Sequence, residues 1–471
     1  MYFRRIYLYP FEIIRKERCC LVASALHHGD TDMTRGSIPR LLINFALPLL
    51  IGNVFQQLYN TVDTIVVGNY VSLQALAAVG CTGPIINALI GLFSGLASGA
   101  TVVISQYYGA KDEENLHKAV QTTMALTLGI CVLLTVLGVT ATPYMLRLME
   151  TPEDVFASAA EYLRIYFWGI SGMLLYNIGA GILRAVGDST RPLYFLIFSA
   201  LTNTVLDVVF VRYLSMGIAG AAAATVVSQV LSAVMVLLLL SRTTAAYRVE
   251  LRHLSVTGRI LKRVCAIGIP SALQMAITAI SNIFVQSYIN RVESACMAGW
   301  TAYNRVDAFA MLPTMSLSLA ISTFVGQNLG AGDLRRARDA AKYGMGMGFG
   351  LMLVLLTPLM LFAPQLTALF NQEPEVIEFG TFFIRIISPF YLAFAVNQVY
   401  TGALRGAGDS KSVMYICLGS FVAFRQLYLF VSYRLGGGIT AIALGYPAGW
   451  VLCAVLLLIY YYGFHRNKKT F

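Results

Sequence analysis

Leu183-Arg184-Ala185-Val186-Gly187-Asp188-Ser189 returns 221 residues later as Leu404-Arg405-Gly406-Ala407-Gly408-Asp409-Ser410. The same offset carries Gln106, Gly109, Ala110 and Asp112 onto Gln327, Gly330, Ala331 and Asp333, and Gly217-Ile218 onto Gly438-Ile439. Pro48 and Asn60 match Pro270 and Asn282 at an offset of 222. A chain of 471 residues that repeats itself at nearly half its length is two copies of one unit. Locally, Gly187 and Gly408 suit a helix C-terminus that needs a positive φ. Asp188 and Asp409 suit the cap of the helix that follows.

Around these repeats the chain is apolar. It is 57% hydrophobic and only 12% charged, against about 25% charged in a soluble domain. Apolar runs broken by short charged loops predict twelve spans: 41–68, 77–107, 118–142, 160–183, 191–211 and 217–241, then 264–289, 296–328, 342–363, 379–402, 412–433 and 438–462. Six spans per copy is an even number, so both copies face the same way. The fold class expected is an all-α integral membrane protein, with 12 transmembrane helices in two six-helix lobes related by a parallel internal repeat. Residues 40–241 form the N-lobe, 242–263 a linker that need not be rigid, 264–462 the C-lobe and 463–471 a basic tail. Residues 1–39 read as an N-terminal cytoplasmic extension, disordered or dispensable, with Met33 as a second plausible start.

The net charge of +11 is distributed by side. With a cytoplasmic N-terminus, 26 of the 34 Lys and Arg fall in inside segments, and four (Arg147, Arg212, Arg291, Arg434) fall outside. Arg164, Arg305, Arg385 and Arg425 lie within spans. The positive-inside rule therefore puts both termini in the cytoplasm of a multi-pass plasma (inner) membrane protein, and the excess charge needs no nucleic-acid partner.

Other chemistries find little footing. The eight cysteines show no C-x-x-C spacing, and all five histidines (His27, His28, His117, His253, His465) lie in or beside cytoplasmic segments, so neither a redox pair nor a buried zinc site is expected. No phosphate-binding G-x-x-x-x-G-K-[ST] occurs. Gly406-Ala407-Gly408-Asp409 matches the G-x-G-D of intramembrane aspartyl proteases, but no Tyr-Asp partner exists. The chain is not expected to be an enzyme or to hold a cofactor. Gly91, Gly95 and Gly99, with Gly344/Gly348 and Gly346/Gly350, look like faces for close helix packing.

A central acid in a bilayer helix costs about 2.5–3.5 kcal/mol on the lenient insertion scale. Three lie well inside the spans: Asp63, Asp207 and Asp307. Gln56, Tyr59, Asn60 and Asp63 share one helix face at i, i+3, i+4 and i+7, and Asn203 and Asp207 share another at i, i+4. Counting residues from the outer loops at about 1.5 Å each puts Asp63, Asp207 and Thr225 in the outer half of the N-lobe. Two carboxylates, an amide and a hydroxyl at one depth can hold a proton or Na⁺; no other metal site is expected. Asp307 has Arg305 two residues away and reads either as half of a structural ion pair or as a substrate or gate residue. Asn177 lies nearer the inner side and is a cavity candidate only. Pro48 and Pro270 each remove a helix hydrogen bond and are candidate kinks.

With these residues the chain resembles the multidrug and toxic compound extrusion (MATE) family across residues 34–462. The resemblance rests on the two six-helix lobes, Phe45-Ala46-Leu47-Pro48 with Gly52 and Asp63, the Gly109-Ala110 and Gly330-Ala331 loops, and the paired Arg-x-x-Gly-Asp loops. It is most similar to the DinF-like branch, whose acids on the first and fifth helices, Asn four residues before the second acid and Thr on the sixth correspond to Asp63, Asp207, Asn203 and Thr225. The NorM-like branch uses acids on the seventh and tenth helices, and none occurs within 264–289 or 379–402. The resemblance implies a monomeric antiporter that moves H⁺ or Na⁺ inward as a small organic, often cationic, compound leaves, with Gln56 and Tyr59 lining the cavity beside Asp63. The rival reading is a flippase for a lipid-linked cell-envelope precursor, which would want a strongly basic cavity.

Overall fold

The computed structural model describes residues 31–465 apart from 72 and 150. Twelve helices are long and apolar enough to cross a membrane, and no strand occurs among the described residues. The first half holds α1 (Ile38–Tyr70), α2 (Leu73–Gly109), α3 (Glu113–Leu148), α4 (Glu153–Ala185), α5 (Thr190–Tyr213) and α6 (Gly217–Arg242). The second holds α7 (Gly258–Ile289), α8 (Ser294–Gly330), α9 (Leu334–Leu361), α10 (Pro374–Gly406), α11 (Ser410–Arg434) and α12 (Gly438–Gly463). Both α1 and α7 continue through their prolines, Pro48 and Pro270.

The repeat read from the sequence is a repeat of packing. α1 packs on α5, α2 on α4 and α4 on α6; the same pairings recur as α7 on α11, α8 on α10 and α10 on α12. The equivalent helices α3 and α9 are the most peripheral and present bare aliphatic side chains outward, among them Val132, Leu133, Val136, Leu353 and Val354. Such a surface is stable only against lipid.

The turns follow the local reading. Gly187 and Gly408 take φ of 91° and 86°, values a side chain would strain. Asp188 Oδ1 accepts the Thr190 and Arg191 amides at 3.1 and 3.0 Å, and Asp409 Oδ1 accepts the Ser412 amide at 3.3 Å. Asp112 and Asp333 cap α3 and α9 through the Asn115 and Arg336 amides.

The halves meet through α1 and α2 against α8 and α7, most closely at the end that carries both termini. There Gln106 Nε2 donates to the Gly406 carbonyl at 3.0 Å, and Gln327 Nε2 donates to the Ala185 carbonyl at 2.8 Å. Each glutamine crosses to the other half, and the two bonds are copies of one another at the 221-residue offset. Gly109 and Gly330 let the backbones touch: a Cβ on either would stand 1.9 Å from the carbonyl oxygen of Gln327 or Gln106.

At this end part of the expected extension and the linker that need not be rigid make specific contacts. The first 30 residues of the expected 1–39 extension lie outside the described residues, but the rest of it is docked. Met33 is fully buried, its amide donates to Gln327 Oε1 at 3.0 Å, and its carbonyl accepts from Asn328 Nδ2 at 3.1 Å. The linker between the halves buries Tyr247 and Val249 and is tied to α3 by Gln121, whose Nε2 donates to the Arg248 carbonyl.

Candidate ion and substrate site

In the N-lobe the packing of α1 on α5 puts Asp63 and Asp207 near enough for their charges to interact. Asp207 is 0% exposed and neither carboxylate oxygen has a hydrogen-bond partner. Asn203, one turn earlier on the same face, is 1% exposed, and both of its amide atoms are also without partners. Asp63 is half-buried with its Oδ1 buried and unpartnered. Buried polar atoms are hydrogen-bonded in about 90% or more of cases, so this run of unpartnered oxygens marks a candidate site. The helix supports that: α5 turns to π geometry at Val208–Tyr213, directly after Asp207, the kind of interruption that recurs at functional positions.

Tyrosines wall the pair. Tyr59 sits one turn before Asp63 beside Gln56 and feels both acids, as does Tyr162 from α4. Tyr166, a turn along α4, donates its hydroxyl to Met173 Sδ at 3.3 Å, and the side-chain oxygen of Gln229 on α6 is buried without a partner. Tyr162, Tyr166 and Gln229 are absent from the residues named on sequence grounds. Their signal was available for α4, where the two tyrosines share a face at i, i+4, but tyrosines are common in apolar spans. The side chain of Asn60 lies outside the described residues.

Thr225 is buried, and its hydroxyl donates to the Ala221 carbonyl of its own helix at 3.1 Å. Asn177 donates to the Met173 carbonyl at 2.8 Å and lines a small apolar cavity with Phe93, Leu96, Thr127 and Val264. In the C-lobe the ion-pair reading of Asp307 is not realised. Its Oδ1 accepts the hydroxyls of Tyr391 at 2.7 Å and Tyr303 at 3.1 Å, while Arg305 is exposed. Two residues apart on a helix, Asp307 and Arg305 point to different sides.

The donor set limits the chemistry. No group of three or more His, Cys, Asp or Glu able to hold a metal occurs among the described residues. Among the described residues, what the N-lobe offers is one oxygen of Asp63, two of Asp207 and the amide of Asn203, with no protein donor on these oxygens and no cation paired to the acids. Such a set takes up a proton, a small hard cation or an organic cation.

Comparison with known proteins agrees with this architecture. The MatE family profile matches residues 48–209 and 270–428, one match in each half. A probable multidrug resistance protein of Bacillus subtilis, YoeA, is 31% identical over 448 residues, covering 93% of this chain and 96% of its own. A second from the same organism, YpnP, is 29% identical over 445 residues, covering 93% and 98%. The solved outward-facing conformation of a multidrug resistance MATE family transporter superimposes with a TM-score of 0.87 at 24% identity, over 93% of this chain and 98% of that one. With the duplicated lobes, twelve spans and both family matches in register, the chain belongs to the MatE family of multi-pass membrane multidrug efflux transporters.

Proposed function

We propose that this protein is a secondary antiporter of the plasma membrane, both termini cytoplasmic, which exports small organic, often cationic, compounds in exchange for a proton. The observation that carries the reading is the carboxylates Asp63 on α1 and Asp207 on α5, helices that pack together, with one oxygen of the first and both of the second buried and unpartnered. Two close carboxylates in low dielectric do not both stay charged at low cost. Either a proton or a cationic substrate relieves them, so binding one releases the other. The excess of Lys and Arg on the side of the termini supports the orientation.

The energetics are adequate. One charge falling through about 150 mV yields roughly 3.5 kcal/mol, which sustains a gradient of a few hundredfold. A cation exchanged for one proton moves no net charge and draws on the pH gradient alone. Exchange requires that the site open to one side at a time. Gln106 and Gln327 support such a cycle, because their cross-lobe bonds shut the end that carries the termini.

The test is efflux of a fluorescent cationic dye from proteoliposomes under an imposed pH or Na⁺ gradient. The wild type is expected to respond to the pH gradient and Asp63→Asn to lose that response. A response to Na⁺ alone would make sodium the coupling ion. Full gradient-driven efflux in Asp63→Asn would move the coupling site elsewhere, and a wild type inert under both gradients would favour lipid-linked cargo.

A further inference from the structure

Residues 119–124 of α3 are all buried, none more than 1% exposed. Six consecutive residues go round a helix more than once, so at this level α3 keeps no side for lipid. Yet Val132 and Leu133, eleven residues beyond Gln121 and Thr122 and therefore on the same face, are bare. The linker between the halves supplies the cover. Gln121 Nε2 donates to the Arg248 carbonyl at 3.1 Å, and the Thr257 amide donates to Thr122 Oγ1 at 3.1 Å. Tyr247 and Val249 pack into one cluster with Leu116, Ala119 and Val120.

The repeat gives the depth. At the 221-residue offset Gln121 and Thr122 become Lys342 and Tyr343 on α9, and both of these are exposed. A bare lysine and tyrosine on a lipid-facing helix belong to the headgroup layer, where Tyr anchors and Lys snorkels. Each pair stands eight and nine residues from the first residue of its helix, Glu113 or Leu334, about 12–14 Å along it. The linker therefore lies at headgroup level, wrapped on α3.

Its outward side matches that layer. Leu251 and Val256 are 49% and 58% exposed. Arg252, Arg259 and Lys262 are exposed beside them, and no ion pair to these three occurs among the described residues. Six basic residues within 242–263 face one acid, Glu250, whose carboxylate lies 3.9 Å from Arg248. Aliphatic side chains set among cations suit an anionic membrane surface, with the chains at the acyl boundary and the charges on phosphates. We propose that Leu251, Arg252, Val256, Arg259 and Lys262 form a docking surface for anionic phospholipid, in the leaflet on the side of the termini. The contact holds α3 and the start of α7 to the membrane, whatever the lobes transport.

The test uses the full chain with its native cysteines replaced by Ala and a bimane fluorophore on Val256→Cys. Vesicles contain equal phosphatidylglycerol and phosphatidylcholine, with bromine as quencher on one lipid or on the other. Brominated phosphatidylglycerol is expected to quench with a relative association about fivefold or more above that of brominated phosphatidylcholine. A bimane on Val354→Cys, on the lipid-facing side of α9, is expected to be quenched equally by both. Combined Arg252→Gln, Arg259→Gln and Lys262→Gln brings the ratio at position 256 close to one. Salt at about 1 M does the same with every side chain intact, so the result does not hinge on how the triple variant folds. No quenching by either lipid would place this face in water and overturn the proposal. So would equal quenching by the two lipids, or a preference that survives both the triple substitution and high salt.

Discussion

The acids of this chain divide by what satisfies them. Asp409 accepts the Ser412 amide at the start of α11 and the Tyr460 hydroxyl at 2.6 Å, so its work is local. Asp207 accepts nothing. Replacing Asp409 by Ala removes a cap and is expected to destabilise by about 0.5–2 kcal/mol, read as a lower melting temperature in detergent with dye efflux per folded molecule intact. Asp409→Asn keeps an acceptor and stays close to wild type. Loss of efflux at an unchanged melting temperature would make Asp409 a transport residue instead. This division was partly legible beforehand. A carboxylate after Arg-x-x-Gly at a helix junction is a cap by its position, and a carboxylate amid Leu, Val and Ile is anomalous by its cost. Tyr59 was read from its place on the Asp63 face, whereas the approach of Tyr162 to the two acids and the hydroxyls on Asp307 were not. Which face of a helix meets which neighbour depends on its rotation, and the low helical amphipathy of a lipid-facing span leaves rotation unmarked.

Among the helices, glycine spacing announced close packing without saying where. Gly91, Gly95 and Gly99 all face α7: a Cβ on Gly95 would stand 2.3 Å from the Ala272 backbone, and one on Gly99 2.5 Å from that of Gly268. On α9 the same spacing splits. Gly344 abuts Ile321 and Gly348 makes ordinary contacts, but a Cβ on Gly346 or Gly350 would meet nothing within 4 Å. Two interleaved series with one spacing cannot both face the protein, and sequence alone does not choose between them. Gly95→Ala is accordingly expected to force α2 off α7 and lower stability by about 1–3 kcal/mol. Gly346→Ala and Gly350→Ala are expected to be neutral or to gain up to about 1 kcal/mol from reduced chain entropy. Melting temperatures of the three variants decide it, and equal losses at Gly95 and Gly346 would contradict the assigned packing.

Across the whole molecule, the duplication that built two lobes also built their latch. Gln106 with Gly406 and Gln327 with Ala185 are one contact made twice, and Met33 is pinned onto the same glutamine layer. Hydrogen bonds between membrane helices contribute about 0.6 kcal/mol each on average, so the pair together contributes only about 1 kcal/mol. A latch of that strength holds one state at rest yet yields to the coupling ion. It can also be fixed by chemistry. A Cβ built at position 326 on α8 would lie 3.2 Å from the Ser105 Cβ on α2, a little under the usual Cβ separation of a disulfide, about 3.5–4.5 Å. With the native cysteines replaced by Ala, Ser105→Cys and Gly326→Cys are expected to cross-link the halves under mild oxidant, seen as a gel shift after cleavage in the 242–263 linker. Dye efflux should stop on oxidation and return on reduction, with each single variant unaffected by either treatment. If the cross-linked protein exported dye at the uncross-linked rate, the lobes would not part at this end during transport, and the path for substrate would have to open elsewhere.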